Sequence, residues 1–221
     1  MERRFLNLFR RLSLPLRKRL PQRARFALRL LNHLFFYRGR ASLPLTQDLV
    51  SGCKVCASRW HMLAFLPHGG RIAEVGTHRG DFARQILDVC QPQELWLADL
   101  DVSFLNREIA NDRRVQVHRG FSHEVLATFP DDYFDWIYID ADHSYESTLR
   151  DARAAVSKVK RGGYLVFNDF AHMGPNLGAF GVHRAVIDFA INDGWRFTWF
   201  AFEPNALYDV ALQRLSEKAD A

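Results

Sequence analysis

Short apolar runs recur through the middle of the chain, and each run ends in polar residues. Five such runs, separated by segments of helical length, lie at residues 72–75, 94–99, 115–118, 134–139 and 164–167. Apolar strands that alternate with helices are typical of a parallel sheet covered on both faces. The pattern predicts an α/β, Rossmann-like fold whose polar residues gather at the carboxyl edge of the sheet, where such folds bind ligands.

Two further runs, at residues 195–200 and 208–212, predict a terminal antiparallel hairpin that brings the sheet to seven strands. Gly162 and Gly163 are expected to close a helix before the fifth strand. Residues 173–181, rich in Gly, Pro and Asn, are expected to form a mobile loop over the acceptor. Residues 45–66 hold Cys53 and Cys56, expected as reduced thiols in a helix, and this segment is either a lid or plain packing.

A turn with two glycines follows the first apolar run. Gly76 and Gly80 lie between this strand and the next helix, so that a ligand can approach backbone N–H groups without a Cβ in the way. A dinucleotide fingerprint needs glycine at position 78, which is His78, so a nucleotide without a diphosphate is favoured. Asp99, at the end of the second run, is the candidate for ribose hydroxyls, with Asp101 second.

These motifs, together with residues 120–123, 139–146, 162–163 and 168–169, resemble the class I S-adenosylmethionine-dependent methyltransferases. Within that class they are similar to the metal-dependent O-methyltransferases of the macrocin O-methyltransferase and cephalosporin-biosynthesis group, over roughly residues 65–215. The resemblance implies that S-adenosyl-L-methionine is held by a set of residues around the strand ends: Glu74, Gly76, Thr77, Gly80, Asp99, Ser122, His123 and Asp140.

The resemblance also implies a divalent metal, Mg²⁺ first, bound by Asp140, Asn168 and Asp169. Oxygen ligands of this kind suit such hard cations. The last two residues read Asn-Asp, whereas relatives usually show two acids or Asp-Asn. His143, three residues after Asp140, corresponds to the general base of some sugar-modifying relatives, which makes these two residues the candidate catalytic pair.

Other residues near these positions have competing interpretations. Asp142 is a second metal candidate, although Asp142 and Ser144 are better explained as a helix cap. His172 and His183 are reserve bases, and His183 is more simply structural because it begins a helical stretch. Polar residues commonly end strands and cap helices, and this structural role is the alternative to metal binding for Asp140 and Asp169.

Methyl transfer from a sulfonium is an in-line displacement, so an enzyme must align a hydroxyl and accept its proton. A metal ion lowers the pKa of the hydroxyl, and a histidine with an ordinary pKa near about 6.5 can take the proton. The sequence therefore predicts O-methyl transfer to a hydroxyl of a small molecule or sugar. Two alternatives stay open: an inactive membrane-surface binding protein on this fold, and an NAD- or nucleotide-sugar-dependent oxidoreductase.

Charge divides the chain into a basic extension at residues 1–40, with a net charge of +11, and a methyltransferase domain at residues 41–221, with −6. At helical spacing, the apolar residues of the extension fall on one face and the basic residues on the other. This pattern predicts an amphipathic helix that binds an anionic membrane surface. Packing, a homo-oligomer contact, a nucleic-acid arm and an organellar presequence are alternatives, and the acidic domain disfavours nucleic acid. We expect a cytoplasmic protein, peripheral on the inner face of a membrane.

Overall fold

Eight strands form one mixed sheet, flanked by helices on both faces. The computed structural model describes residues 42–171 and 180–214, with the isolated positions 21 and 24. Apart from positions 21 and 24, the basic extension lies outside the described residues, and so do the reserve base His172 and residues 173–179 of the predicted loop. The strands are β1 (Lys54–Cys56), β2 (Arg71–Val75), β3 (Glu94–Asp99), β4 (Val115–Arg119), β5 (Phe134–Ile139), β6 (Val159–Phe167), β7 (Trp195–Ala201) and β8 (Asp209–Arg214).

Seven α-helices connect the strands within the described residues. They are α1 (Gln47–Val50), α2 (Arg59–Leu63), α3 (Asp81–Gln85), α4 (Arg107–Ala110), α5 (Ser122–Ala127), α6 (Tyr145–Val156) and α7 (Val182–Asp193). A π-helical turn, Ile86–Cys90, continues α3, and a 3₁₀ turn, Val102–Phe104, follows β3. No helix among these residues has the length and apolar character needed to cross a membrane.

The strand order is β1-β7-β8-β6-β5-β2-β3-β4. Strands β2 to β6 run parallel to one another, and β8 is antiparallel to both β6 and β7. The five predicted core strands and the antiparallel final strand are confirmed, as is the Rossmann-like fold. The count of seven was one short, because β1 adds a parallel pair to the outer edge of β7.

The helix predicted around the two cysteines is wrong. Cys56 is buried in β1, and Cys53 lies just before it, after the turn at residues 51–52. Lys54 and Val55 are exposed, and the stretch is a strand because its backbone pairs in parallel with β7 at the edge of the sheet. Farther along, Met62 and Leu63 of α2 are fully buried, which is a packing role for this part of the segment.

The two glycines before the fifth predicted strand do not close a helix. Helix α6 ends at Val156 and is capped by Ser157, whereas Gly162 and Gly163 lie inside β6. The pairing of β5 with β6 shifts register here, and Gly162 has a φ of +76°. The additional residues of β6 that have no partner in β5 form a bulge, and glycine adopts the left-handed backbone of this bulge at no steric cost.

The core has one layer on each face of the sheet, because successive strand residues point to opposite sides. In β5, Ile137 and Ile139 face the layer formed with α5, α6 and α7, while Trp136 and Tyr138 face the layer formed with α2, α3 and α4. All four residues are buried to at least 95%. Core residues therefore cover both faces of β5 and fix the position of its ends at the edge of the sheet.

Candidate active site

A cleft of about 440 Å³ opens at the carboxyl ends of β2, β3, β4 and β5. Strand β2 lies between β3 and β5; the chain continues from β2 to β3 on one side, and from β4 it crosses to β5 on the other side. Such a switch point is where open α/β sheets bind ligands. The residues that line the cleft are Gly76, His78, Asp99, Leu100, Gly120, Phe121, Ser122, His123, Asp140, Ala141, Asp142, Ser147, Arg150 and Asp151.

Gly76 ends β2 with a φ of +91°, and its backbone lies against the backbone of Asp140 and Ala141. A Cβ at this position would overlap the carbonyl of Asp140. His78 also has a left-handed backbone, with a φ of 46°. The predicted tight turn is therefore present, and it leaves backbone open to the cleft.

The carboxylate of Asp99 is fixed by two backbone donors. The N–H of His78 donates to Oδ2 at 2.8 Å, and the N–H of Asp101 donates to Oδ1 at 3.0 Å. An ionised carboxylate has about four acceptor positions, so two are left for hydroxyls of a ligand. Asp101 instead caps the next turn, because its side chain accepts from the N–H of Ser103.

Three other predicted cofactor residues do not line the cleft. Glu74 and Thr77 are buried to 99% and 96%, and the Thr77 hydroxyl donates to the Glu74 carboxylate at 3.4 Å. Gly80 begins α3 with a φ of +80°, and a Cβ there would meet the side chains of Ile109 and Leu105 at 2.8 Å. Glu74, Thr77 and Gly80 therefore support the loop from its buried side, whereas Gly76 and Asp99 line the cleft and can contact a ligand.

The far end of the cleft combines apolar surface with an acid. Leu100 and Phe121 are about half exposed there, and Ser122 and His123 begin α5 beside them. Asp151 of α6 is buried to 97%, with one carboxylate oxygen 3.8 Å from Nδ1 of His123. Burial raises the pKa of Asp151 to about 6, against a lowering by the charge of Arg150.

Beside Asp140, three oxygens surround the imidazole of His143; Asp140 lines the cleft, whereas His143, Asn168 and Asp169 are not among its lining residues. The Nε2 atom of the imidazole lies 3.4 Å from Oδ1 of Asp140, from Oδ2 of Asp169 and from Oδ1 of Asn168. Asp169 has a left-handed backbone, with a φ of 52°, which Asp tolerates better than most residues. The structure thus brings together the predicted base and all three predicted metal ligands.

The ring of His143 is covered by the segment that precedes α7. Phe180 stacks on it with the ring centroids 4.4 Å apart and the planes at 12°. The N–H of Gly181 donates to the carbonyl of His143 at 2.7 Å, and a Cβ on Gly181 would overlap the backbone of Tyr145. Backbone and ring contacts therefore hold the imidazole on a defined plane.

The predicted cap after β5 is confirmed. The side chain of Ser144 accepts from the N–H of Ser147 at the start of α6. Asp142 accepts from the N–H of Ser144 and from the hydroxyls of Ser144 and Ser147, all at 3.1 Å. His183 is the second residue of α7, and its ring packs on Phe170 with the centroids 4.7 Å apart.

The site is strongly acidic. Burial, followed by the charge of Asp140, raises the pKa of Glu74 well above its usual range. Burial likewise raises the pKa of Asp140 and Asp169, although His143 opposes both shifts. Burial alone would lower the pKa of His143, but its hydrogen bond with Asp140 and the charges of Asp140 and Asp169 raise it. Such a site is suited to a positively charged ligand.

A second group of polar residues behind the cleft was not predicted. Arg59, at the start of α2, donates from Nη1 to the hydroxyl of Tyr138 at 3.3 Å and pairs with Glu203. Tyr138 donates to Asp209 at 2.7 Å. Burial raises the pKa of Asp209 to about 7, while Arg59 and the Tyr138 hydrogen bond lower it. Nothing in the local sequence signals this group, because it joins α2, β5 and β8.

The oxygens of Asp140, Asn168 and Asp169 have the donor chemistry that a hard divalent cation prefers. Nevertheless, among residues 42–171 and 180–214 no group of three or more His, Cys, Asp or Glu side chains is arranged to hold a metal ion. His143 stands instead at the point where the oxygens converge. The predicted metal site is therefore present as a set of ligand types and not as a formed coordination shell.

The comparisons with known proteins agree with this geometry. Residues 73–170, which run from β2 to just past β6, match the family model of a methyltransferase domain. The fold is that of the class I methyltransferases. No curated protein sequence matches the chain. The family match, over less than half of the chain, and the shared fold together support a methyltransferase domain.

Three solved structures illustrate this likeness. A SAM-dependent methyltransferase from Aquifex aeolicus is 16% identical, with a TM-score of 0.50, over 66% of this chain and 82% of that chain. Spermidine synthase from Thermotoga maritima is 15% identical, with a TM-score of 0.51, over 71% and 56%. MycE, a methyltransferase of mycinamycin biosynthesis solved with Mg and SAH, is 15% identical, with a TM-score of 0.50, over 68% and 46%. At these identities the likeness concerns the fold.

Proposed function

We propose that this protein transfers a methyl group from S-adenosylmethionine to a hydroxyl of a small molecule or sugar, assisted by a divalent metal ion. The observation that carries the proposal is the convergence of His143, Asn168 and Asp169 beside Asp140, which lines the cleft. A cofactor site that ends at a base and three oxygen ligands is suited to activating a hydroxyl.

The cleft suits the cofactor along its whole length. Asp99 has acceptor positions left for the ribose hydroxyls, and the turn at Gly76 leaves backbone open to the methionine part. Leu100 and Phe121 offer apolar surface to the adenine, beside Ser122 and His123. S-adenosylmethionine, when bound, supplies a methyl group on a positively charged sulfur. The acidic surroundings favour that charge.

His143 is proposed as the general base. The same carboxylates that raise its pKa make it a stronger proton acceptor, and Phe180 and Gly181 hold its ring in place. In the neutral base, Nε2 carries the free lone pair and accepts the proton of the hydroxyl. Once protonated, Nε2 lies 3.4 Å from Oδ1 of Asp140, whose negative charge stabilises the imidazolium.

The metal ion would bind at the oxygens around His143. Asp140, Asn168 and Asp169 would be its protein ligands, and a bound cation would lower the pKa of the acceptor hydroxyl and orient it. MycE, which shares the fold, was solved with Mg and SAH.

Release of S-adenosylhomocysteine tests the proposal. The full chain is incubated with S-adenosylmethionine and a panel of catechols and free hexoses, in Mg²⁺ or in EDTA. We expect release that depends on an acceptor and on Mg²⁺, and that falls at least about 100-fold in His143→Gln, as for loss of a general base. His183→Gln, a second histidine beside a phenylalanine ring, is the matched control and should retain activity.

Cofactor binding without turnover on any acceptor would favour a binding protein on this fold, and binding of nicotinamide dinucleotide would favour an oxidoreductase. Activity that is equal in Mg²⁺ and EDTA would remove the metal from the mechanism and leave the His143 base in place.

For the basic extension at residues 1–40, we propose contact with an anionic membrane surface, on its net charge of +11. Co-sedimentation of the full chain with vesicles of phosphatidylglycerol and phosphatidylcholine tests this. Binding should require the anionic lipid and weaken as salt is raised, since the attraction is electrostatic. Sedimentation of the same amount of protein with vesicles of phosphatidylcholine alone would contradict contact with an anionic surface.

A further inference from the structure

Asn168 is bound from behind by two side chains that do not line the cleft. Its Nδ2 atom donates to the hydroxyl of Tyr138 at 3.0 Å and to Oδ1 of Asp209 at 3.2 Å. All three residues are at least 96% buried. They belong to different elements, since Tyr138 lies in β5, Asn168 follows β6 and Asp209 begins β8. Strand pairing places β6 between β5 and β8, which brings the three side chains together.

The hydrogen bonds of the Tyr138 hydroxyl determine which way the Asn168 amide points. A phenol has one proton, and that proton goes to Oδ2 of Asp209 at 2.7 Å. The other two partners of the hydroxyl must therefore be donors. Arg59 supplies one through Nη1 at 3.3 Å, so the group of Asn168 at 3.0 Å must be its NH₂. The amide oxygen is then left to face outward.

That oxygen faces the base. Oδ1 of Asn168 lies 3.4 Å from Nε2 of His143. A reversed amide would place an oxygen against the carboxylate of Asp209 and the phenol of Tyr138. The inner face of the amide would lose its hydrogen bonds, which is costly for a buried group.

We propose that Tyr138 and Asp209 are positioning residues that hold the Asn168 carboxamide with its oxygen towards His143. The orientation follows from the contacts alone, and only its importance for methyl transfer rests on the proposed function. Neither residue touches the cleft, so they act through Asn168.

This arrangement also explains why residue 168 is an amide. An aspartate at 168 would place one carboxylate against that of Asp209, where the present contact is 3.2 Å from nitrogen to oxygen. Two buried like charges at that distance are unfavourable. An asparagine at 209 would remove the conflict, because its NH₂ could donate to the inner oxygen of the new carboxylate while the outer oxygen still faces His143.

The exchange of these two residues is the experiment. Thermal unfolding is measured at pH 8.5, where Asp209, with its pKa of about 7, is ionised, for the full chain, for Asn168→Asp, for Asp209→Asn and for the double variant. We expect Asn168→Asp to lower Tm by roughly 6–12 °C, as for an uncompensated buried charge in a chain of this size. The double variant should lose less than half of the summed shifts, because the pairing is restored. Additive losses would overturn the proposal.

A spectroscopic readout separates positioning from plain stability. The ¹⁵N ring signals of His143 are compared in the unmodified chain, in Tyr138→Phe and in Tyr164→Phe, a tyrosine on the neighbouring strand β6. We expect Tyr138→Phe to move the His143 Nε2 signal and to speed hydrogen exchange of the Asn168 NH₂ at least about 10-fold, as for a lost hydrogen bond of about 1.4 kcal/mol. Tyr164→Phe should change neither.

An unchanged His143 signal in Tyr138→Phe would overturn the proposal, whatever the change in Tm. Neither measurement uses a cofactor or an acceptor. The positioning role is thus judged separately from methyl transfer, and a chain that binds no S-adenosylhomocysteine would still confirm or refute it.

Discussion

Replacement of Asp151 by asparagine should stabilise the protein at neutral pH. Asp151 is only 3% exposed, and burial raises the pKa of its carboxyl from 3.8 to about 6. A raised acid pKa means that the folded state holds the proton more tightly than the unfolded state does. Folding stability is therefore greatest below the unfolded pKa, falls as the pH rises towards 6, and stays reduced above it.

The size of this effect follows from the shift. A difference of about 2 pKa units corresponds to about 3 kcal/mol, since each unit is worth 1.36 kcal/mol. Asp151→Asn keeps an oxygen acceptor of the same shape and removes the buried charge. We expect the variant to gain up to about 3 kcal/mol over the unmodified chain at pH 7.5, and almost nothing at pH 4.

Urea unfolding at pH 4.0, 5.5 and 7.5 measures this difference directly. The matched control is Glu146→Gln, an exposed carboxyl in the first turn of the same helix, which should bring no gain at pH 7.5 because acids there favour the helix dipole. A gain for Asp151→Asn that is equal at pH 4.0 and 7.5, or a loss at pH 7.5, would refute the reasoning from burial.

Three other variants test different parts of the structure. Gly76→Ala should abolish S-adenosylhomocysteine binding in calorimetry, because a Cβ there overlaps the backbone of Asp140 at the end of the adjacent strand β5, whereas Gly52→Ala, with open space around it, should bind normally. Phe189→Ala, at a fully buried position, should lower the free energy of unfolding by about 3–5 kcal/mol in urea titrations. Phe180→Leu should lower kcat without weakening S-adenosylhomocysteine binding, since it removes only the ring stacked on His143; equal losses in both would contradict that role.

The elements that could be predicted are those whose signals are local. Strands β2 to β6 are apolar runs that end in polar residues, and the parallel topology brings those ends to one rim. Asp99 and His143 could be placed there for the same reason. The glycine turn at Gly76 was equally visible, because a left-handed backbone next to a strand end favours glycine.

The residues that were missed depend on contacts between distant segments. Arg59 and Asp209 meet Tyr138 across 79 and 71 positions of sequence, and no local pattern records this. Asp151, by contrast, could have been recognised from the sequence as an unusual buried residue. It lies on the buried face of α6 with Thr148, Ala152 and Ala155, and a charge on such a face is unusual.

Binding of S-adenosylhomocysteine to the full chain, measured by calorimetry, tests the central claim most directly. We expect binding to the unmodified protein, and a loss of at least about 10-fold in Asp99→Ala, because hydrogen bonds to a charged group are worth about 1.5–3 kcal/mol. Asp101→Ala, an aspartate two residues away that caps the next turn, should bind almost normally. Absence of binding to the unmodified chain, or equal loss in both variants, would contradict the assignment of this cleft as the cofactor site.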